Sequence, residues 1–344
     1  MERHGIIYQA PSLPPQSQFQ NTSVSDRAKG RPRGSTESVA RRVRPNDDKR
    51  AGMVLTQRDI LILEVVYQYR LMTSLQIEAL LFPSATTHAQ VRLRLRLLFQ
   101  HGYLYRKEQL QRRSDGMKPF LYALDIRGAA ELAALYGCAL QDLDWHKRDC
   151  NVGPLHLAHL LLSNDIRIAI TRSGINHGFT MAQWLDEKTL RRAHRDDLVT
   201  FTDAKGATHT TTVIPDGFFR LEYLSRSNPI TSRAVHRCIE IDRATVTGRA
   251  SSEHNRAWDK KVLAYLAWHK SGVYQARYRV QALGILTITI GEERLNNLKR
   301  ITEEAGGRGR FWFTSITRLE GADILTDPLW SVATTTQLRS LIRL

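Results

Sequence analysis

Two helix-opening signatures follow one another early in this chain, and they constrain its fold more than any other feature. Thr56 with Asp59, and Thr73 with Gln76, each place a hydroxyl three positions before an acid or amide, the spacing of a capping box. Leu55 with Ile60 and Met72 with Ile77 have the spacing of the apolar staple that fixes the entry of a chain into a helix. Behind the first cap, Ile60, Leu63, Val66 and Tyr67 form one apolar stripe. Behind the second, Ile77, Leu80 and Leu81 do the same before Pro83 stops the helix.

A third helix is expected over about 86–101, ending near Gly102. Its buried face is Val91, Leu95, Leu98 and Phe99, with Arg92, Arg94 and Arg96 beside it and Thr87, His88 and Gln90 in its first turns. Leu93 and Leu97 lie off that stripe, and suit a dimer, an interdomain contact or a rest against the following hairpin. Tyr103–Arg106 and Phe120–Leu124 read as two strands joined by a turn carrying Arg112, Arg113, Asp115-Gly116 and Lys118. Asp125 caps a last helix that Gly137 closes. Helix, helix, helix, hairpin, helix is the order of a winged helix-turn-helix.

The partner of such a unit is suggested by charge. The 344-residue chain carries a formal +16, and residues 51–137 hold 11 Lys/Arg against 7 Asp/Glu. A polyanion suits this excess, because displaced counterions drive the association. Double-stranded DNA is therefore the expected partner. Thr87, His88, Gln90 and Arg94 are expected to read base edges, while Arg92, Arg96, Arg112, Arg113 and Lys118 hold phosphates. The plainer reading of each arginine alone is a solvated helix face.

No apolar run approaches the length needed to cross a bilayer, and Met1-Glu2-Arg3-His4 does not open a secretory signal. Cys138, Cys150 and Cys238 are widely spaced and make neither a disulfide framework nor a zinc ribbon. A reducing cytoplasm is the expected location.

Residues 1–50 are expected to be a disordered basic tail, rich in Pro, Gly, Ser and Arg. Such a tail suits an arm that tracks DNA, or a simple leader. The winged helix occupies 51–137, a linker follows near 138–153, a second domain spans 153–320, and 321–344 reads as a C-terminal tail. The second domain has the order α-β-β-β-α-β-α-β: a helix over 155–170, strands over 180–185, 210–221 (interrupted by Pro215-Asp216-Gly217) and 237–242, a helix from Ser252 to Lys270, a strand over 280–290, a helix over 292–305 and a strand over 310–313. The fold class is thus α+β or α/β, a winged helix-turn-helix followed by a mixed-sheet domain.

Within that domain, Pro215-Asp216 is followed by Glu240-Ile241-Asp242, a pattern resembling the PD-(D/E)xK motif of restriction-endonuclease-like folds. Two carboxylates on adjacent strands can share a divalent cation that activates water against a phosphodiester. Asp216, Glu240 and Asp242 are the candidate ligands for Mg2+ and, with Lys260, the candidate catalytic residues. The pattern departs where a lysine should follow Glu240 by two positions: Asp242 stands there, so Lys260 or Lys261 on the next helix would have to supply the ammonium. The competing reading makes Asp216 part of a Pro-Asp-Gly turn and pairs the acids with Arg220, Arg237 or Arg243.

Taken together, Leu55–Leu61, Leu71–Ile77, Leu81-Phe82-Pro83, Leu93-Arg94-x-Arg96-Leu97, Gly102-Tyr103-Leu104, Tyr122-Ala123-Leu124, Arg127-Gly128-Ala129, His156, Asn164-Asp165, Pro215-Asp216-Gly217 and Glu240-Ile241-Asp242-Arg243 resemble the replication-relaxation family of bacterial plasmids and other mobile elements. The resemblance covers about 55–300 and is strongest in the winged helix. It implies a role in replication, DNA relaxation or mobilisation, with other replication or mobilisation proteins as further partners and a homodimer as one assembly. It also implies that Glu-x-Asp-Arg is the family's own ending, so that the second domain grips DNA or a partner protein. A metal-dependent nickase and a winged-helix transcriptional regulator are the alternatives.

Overall fold

In a computed structural model the described residues are 53–82, 88–109, 118–147, 151–223, 233–243 and 252–342. The expected basic tail over 1–50, and Thr87, Arg112 and Arg113, lie outside them. The chain divides into two units, one up to Ile168 and one from Ala169.

In the first unit, α1 (Gln57–Tyr69) opens as its cap predicts. The Thr56 N–H donates to Asp59 Oδ2 at 2.7 Å, and the Asp59 N–H returns to Thr56 Oγ1 at 3.4 Å. Arg70 then takes a positive φ of 66°, which turns the chain into a short strand, β1 (Leu71–Thr73). That strand was not legible in the sequence. Thr73 ends it and caps α2 (Ser74–Leu81), exchanging two 3.1 Å hydrogen bonds with Gln76. Next come α3 (His88–Gln100), β2 (Leu104–Lys107), β3 (Leu121–Leu124) and α4 (Ile126–Tyr136). The strands lie in the order β1-β3-β2, all antiparallel, with Leu71 opposite Ala123 and Leu104 opposite Leu124.

One face of each helix meets that small sheet. Ile62, Leu63 and Val66 of α1, Ile77 of α2, Val91, Leu95 and Leu98 of α3, and Leu132 of α4 are buried around Met72, Leu104 and Tyr122. Gly128 lets α4 approach closely, since a Cβ there would stand 2.3 Å from the Tyr103 carbonyl oxygen. The helix α5 (Pro154–Asn176) begins in this unit, and its Asn164 donates to the Leu71 carbonyl at 2.8 Å.

The second unit is a mixed α/β layer. Its strands are β4 (Phe179–Asp186), the separate hairpin β5 (Leu198–Thr202) and β6 (Thr208–Thr212), β7 (Gly217–Tyr223), β8 (Arg233–Asp242), β9 (Ile285–Thr289), β10 (Phe311–Ser315), β11 (Trp330–Val332) and β12 (Leu338–Arg339). Its helices, besides the end of α5, are α6 (Glu187–Ala193), α7 (Ser252–Lys270), α8 (Val273–Tyr278), α9 (Glu292–Glu304) and α10 (Ile316–Leu319). The seven-stranded sheet runs β12-β11-β10-β9-β8-β7-β4. The pairs β4·β7 and β7·β8 are antiparallel, while β8·β9 and β9·β10 are parallel because α7 and α9 carry the chain back across the sheet. Every residue of β9 is buried, as its unbroken run Ile-Leu-Thr-Ile-Thr suits a central strand. Phe218, Cys238, Ile285 and Phe311 meet Val262, Tyr265 and Trp268 of α7 in the core.

Two expectations are corrected. The stretch 210–221 is two strands in different sheets, because Pro215 lacks the N–H a ladder needs and Asp216 turns the chain. Residues 321–342 form part of the second unit: β11 and β12 complete the sheet, and Trp330 has no solvent exposure. Among the described residues, no helix is long and apolar enough to cross a membrane.

Candidate functional site

On α3 the basic residues separate into two groups. Glu78 of α2, only 2% exposed, accepts from His88 Nδ1 at 2.8 Å and from Arg92 Nε at 3.2 Å. Asp59 of α1, wholly buried, takes two prongs from Arg94: Nε to Oδ1 at 2.9 Å and a second nitrogen to Oδ2. Both carboxylates are buried, so the side chains that pair with them are held in place. Arg94 was expected at a base edge; the structure commits it to Asp59.

Gln90 is exposed, and Arg96 is half-buried with its Nε enclosed and without a hydrogen-bond partner among the described residues. Lys118 is exposed at the end of the hairpin turn. At the foot of that hairpin the Arg106 guanidinium lies between the rings of Phe99, 4.2 Å away, and Phe120, 4.5 Å away. That sandwich ties the hairpin to the end of α3.

In the second unit the acids expected to act together are largely spoken for. The Asp216 carboxylate accepts the Ile241 N–H at 2.7 Å, which pins the turn before β7 to the end of β8. Glu240, 1% exposed, accepts from the Lys261 ammonium on one oxygen and from the Tyr265 hydroxyl on the other. Lys261 and Tyr265 are four apart on α7 and therefore share a face. Lys260 points elsewhere, since one step along a helix turns the side chain by about 100°. Its Nζ stands 4.0 Å from Asp203 of the β5–β6 turn.

Asp242 pairs with Arg294 of α9, at 2.6 Å and 3.2 Å, and takes a 3.4 Å contact from the Thr289 hydroxyl. Asp216, Glu240 and Asp242 thus do not form the three-carboxylate set expected for Mg2+. Burial pushes the Glu240 carboxyl up to about 8, with Asp216 adding to the rise, and the pull of Lys261 and Tyr265 does not cancel it. A carboxylate oxygen of Glu187, at the start of α6, comes within 4.8 Å of one of Asp216. Sequence reasoning missed Glu187 and Tyr265. The Lys-x-x-x-Tyr spacing on α7, beside its apolar face, was the available signal for Tyr265.

Fold and site together define a two-unit protein: a basic helical unit with a three-stranded sheet, then a mixed seven-stranded α/β unit with a buried Glu–Lys–Tyr cluster. The chain belongs to the replication-relaxation family, whose sequence profile matches residues 63–283, well over half its length. No curated protein matches it. Among solved structures, that of restriction endonuclease FokI is similar over 75% of this chain and 41% of that one, at 12% identity and a TM-score of 0.23. The chain therefore spans less than half of that protein, and a likeness at this score supports no inference about this one.

Proposed function

We propose that the chain is a DNA-binding protein of a plasmid or other mobile element, acting in replication, DNA relaxation or mobilisation. The observation that carries this is the topology of the first unit. A short strand between α1 and α2 pairs with the second strand of a hairpin that follows α3. That arrangement supports reading the unit as a winged helix, with α3 for the groove and the hairpin for the backbone. Membership of the replication-relaxation family and the charge of +16 point the same way.

For the second unit, the order α5-β4-β7-β8-α7-β9 and its antiparallel, antiparallel, parallel pairings support a restriction-endonuclease-like platform. With Glu240 and Asp242 engaged by Lys261, Tyr265 and Arg294, the platform is read as one that grips. The test is fluorescence anisotropy with labelled duplex from the element's own origin, titrated at several salt concentrations. Binding that weakens steeply with salt is expected. Binding absent at low salt overturns the proposal.

One observation favours a second reading, metal-dependent nicking: the approach of Glu187 to Asp216, beside the Lys261–Glu240 pair. Asp216 and Glu187 would hold the cation, whose chemistry would be to activate water and stabilise the charge on a phosphodiester. Nicking of supercoiled plasmid with Mg2+, lost in Asp216→Asn with Glu187→Gln, supports it; no nicking by a chain that still binds DNA rejects it.

A further inference from the structure

The outward face of α3 is not the set of residues that charge alone would select. His88, Arg92 and Arg94 are drawn to Glu78 and Asp59. At 3.6 residues per turn, Leu93 stands nearly opposite the buried stripe of Val91, Leu95, Leu98 and Phe99. It is 45% exposed, a large apolar side chain where a soluble helix would carry a polar one. Gln90 and Arg96, three positions before and after it, flank it on that face, and neither makes a hydrogen bond or ion pair among the described residues.

We infer that Gln90, Leu93 and Arg96 form the sequence-reading stripe of α3, with Leu93 seated against the 5-methyl group of a thymine in the major groove. This rests on the DNA-binding reading above. The three chemistries fit the groove's code: an amide for the N6/N7 edge of adenine, an apolar contact for the thymine methyl, and a guanidinium for the O6/N7 edge of guanine. A protein partner for Leu93 would not call for an amide and a guanidinium left unsatisfied at the same spacing on either side. Buried Glu78 and Asp59 hold the helix in place, which is what a reading stripe needs from the residues beside it.

The stripe is tested by selecting duplexes from a randomised pool with the full chain, then replacing each selected thymine by uracil, which removes only the methyl group. The expected result is one position at which uracil weakens wild-type binding about fourfold, the worth of one buried methyl. At that position Leu93→Ala binds the thymine and uracil duplexes equally. Leu93→Gln, which keeps a side chain of similar reach, loses the distinction as well. Arg96→Ala should relax selection at a neighbouring guanine, and Arg92→Ala should weaken all duplexes alike. The inference is overturned if no uracil substitution matters, if the uracil effect survives in Leu93→Ala, or if that variant changes only self-association. Failure to retain any duplex is a different result, which removes the DNA-binding reading itself.

Discussion

Arg94 grips Asp59 across two helices, Nε to Oδ1 at 2.9 Å with a second nitrogen on Oδ2, and Asp59 has no contact with solvent. Burial alone would raise that carboxyl; hydrogen bonds from Arg94 and Thr56 outweigh it and hold the group below its ordinary value. A depressed acid contributes stability that is present above its unfolded value and lost as pH falls through the folded one. Arg94→Ala leaves the charge buried and unpaired, at a cost of about 3 kcal/mol. Urea denaturation should show that loss at neutral pH, and the variant's acid unfolding should begin at a higher pH than the wild type's. An unchanged urea midpoint would contradict the assignment.

Glu240 gives the opposite sign. Its folded form keeps the proton up to about pH 8, whereas the unfolded chain releases it near the ordinary value of 4.5. Between those limits folding takes up a proton, so stability falls as pH rises, by at most about 1.4 kcal/mol per pH unit, and levels off above the upper limit. Glu240→Gln should flatten that slope in thermal melts taken across the same range. A slope identical to wild type would mean that Glu240 folds already ionised.

The Asp242–Arg294 pair is nearly enclosed, its side chains 13% and 16% exposed. Asp242→Ala should therefore cost roughly 2–3 kcal/mol in denaturant midpoints, because Arg294 is left buried without its partner. DNA affinity per folded molecule should stay as it was. A stable Asp242→Ala protein that no longer binds duplex would show that Asp242 faces the nucleic acid.

The hairpin makes a purely electrostatic forecast. If Arg112, Arg113 and Lys118 each neutralise one phosphate, the triple alanine variant should lower the slope of log affinity against log salt by about 2.7. Sequence preference should be untouched, since phosphates carry no base information. A variant that bound with the original slope would place the hairpin away from the backbone.

The first unit was largely legible because its signals are local. Capping boxes at Thr56 and Thr73, the period of Val91–Leu95–Leu98 and the Asp125 cap before α4 are each decided within a few residues. The strand at Leu71–Thr73 escaped notice because three residues carry no period and form only when β3 lies alongside. In the second unit the order of the main elements was readable, while β11 and β12 were not, being short and held by the burial of Trp330 within β11 itself. The site was legible in residue type more than in partnership. Nothing in Glu240-Ile241-Asp242 announces that the first acid turns to α7 and the second to α9, since strand alternation puts both on one face and long-range packing makes the choice.

Glu78 and Asp59 anchor α3 through His88, Arg92 and Arg94, while Gln90, Leu93 and Arg96 make no hydrogen bond or ion pair among the described residues. Substitutions along that outer line can therefore accumulate without loosening the helix. If α3 reads DNA as proposed, those two turns give the chain a means of adopting a new target while its remainder stays as it is.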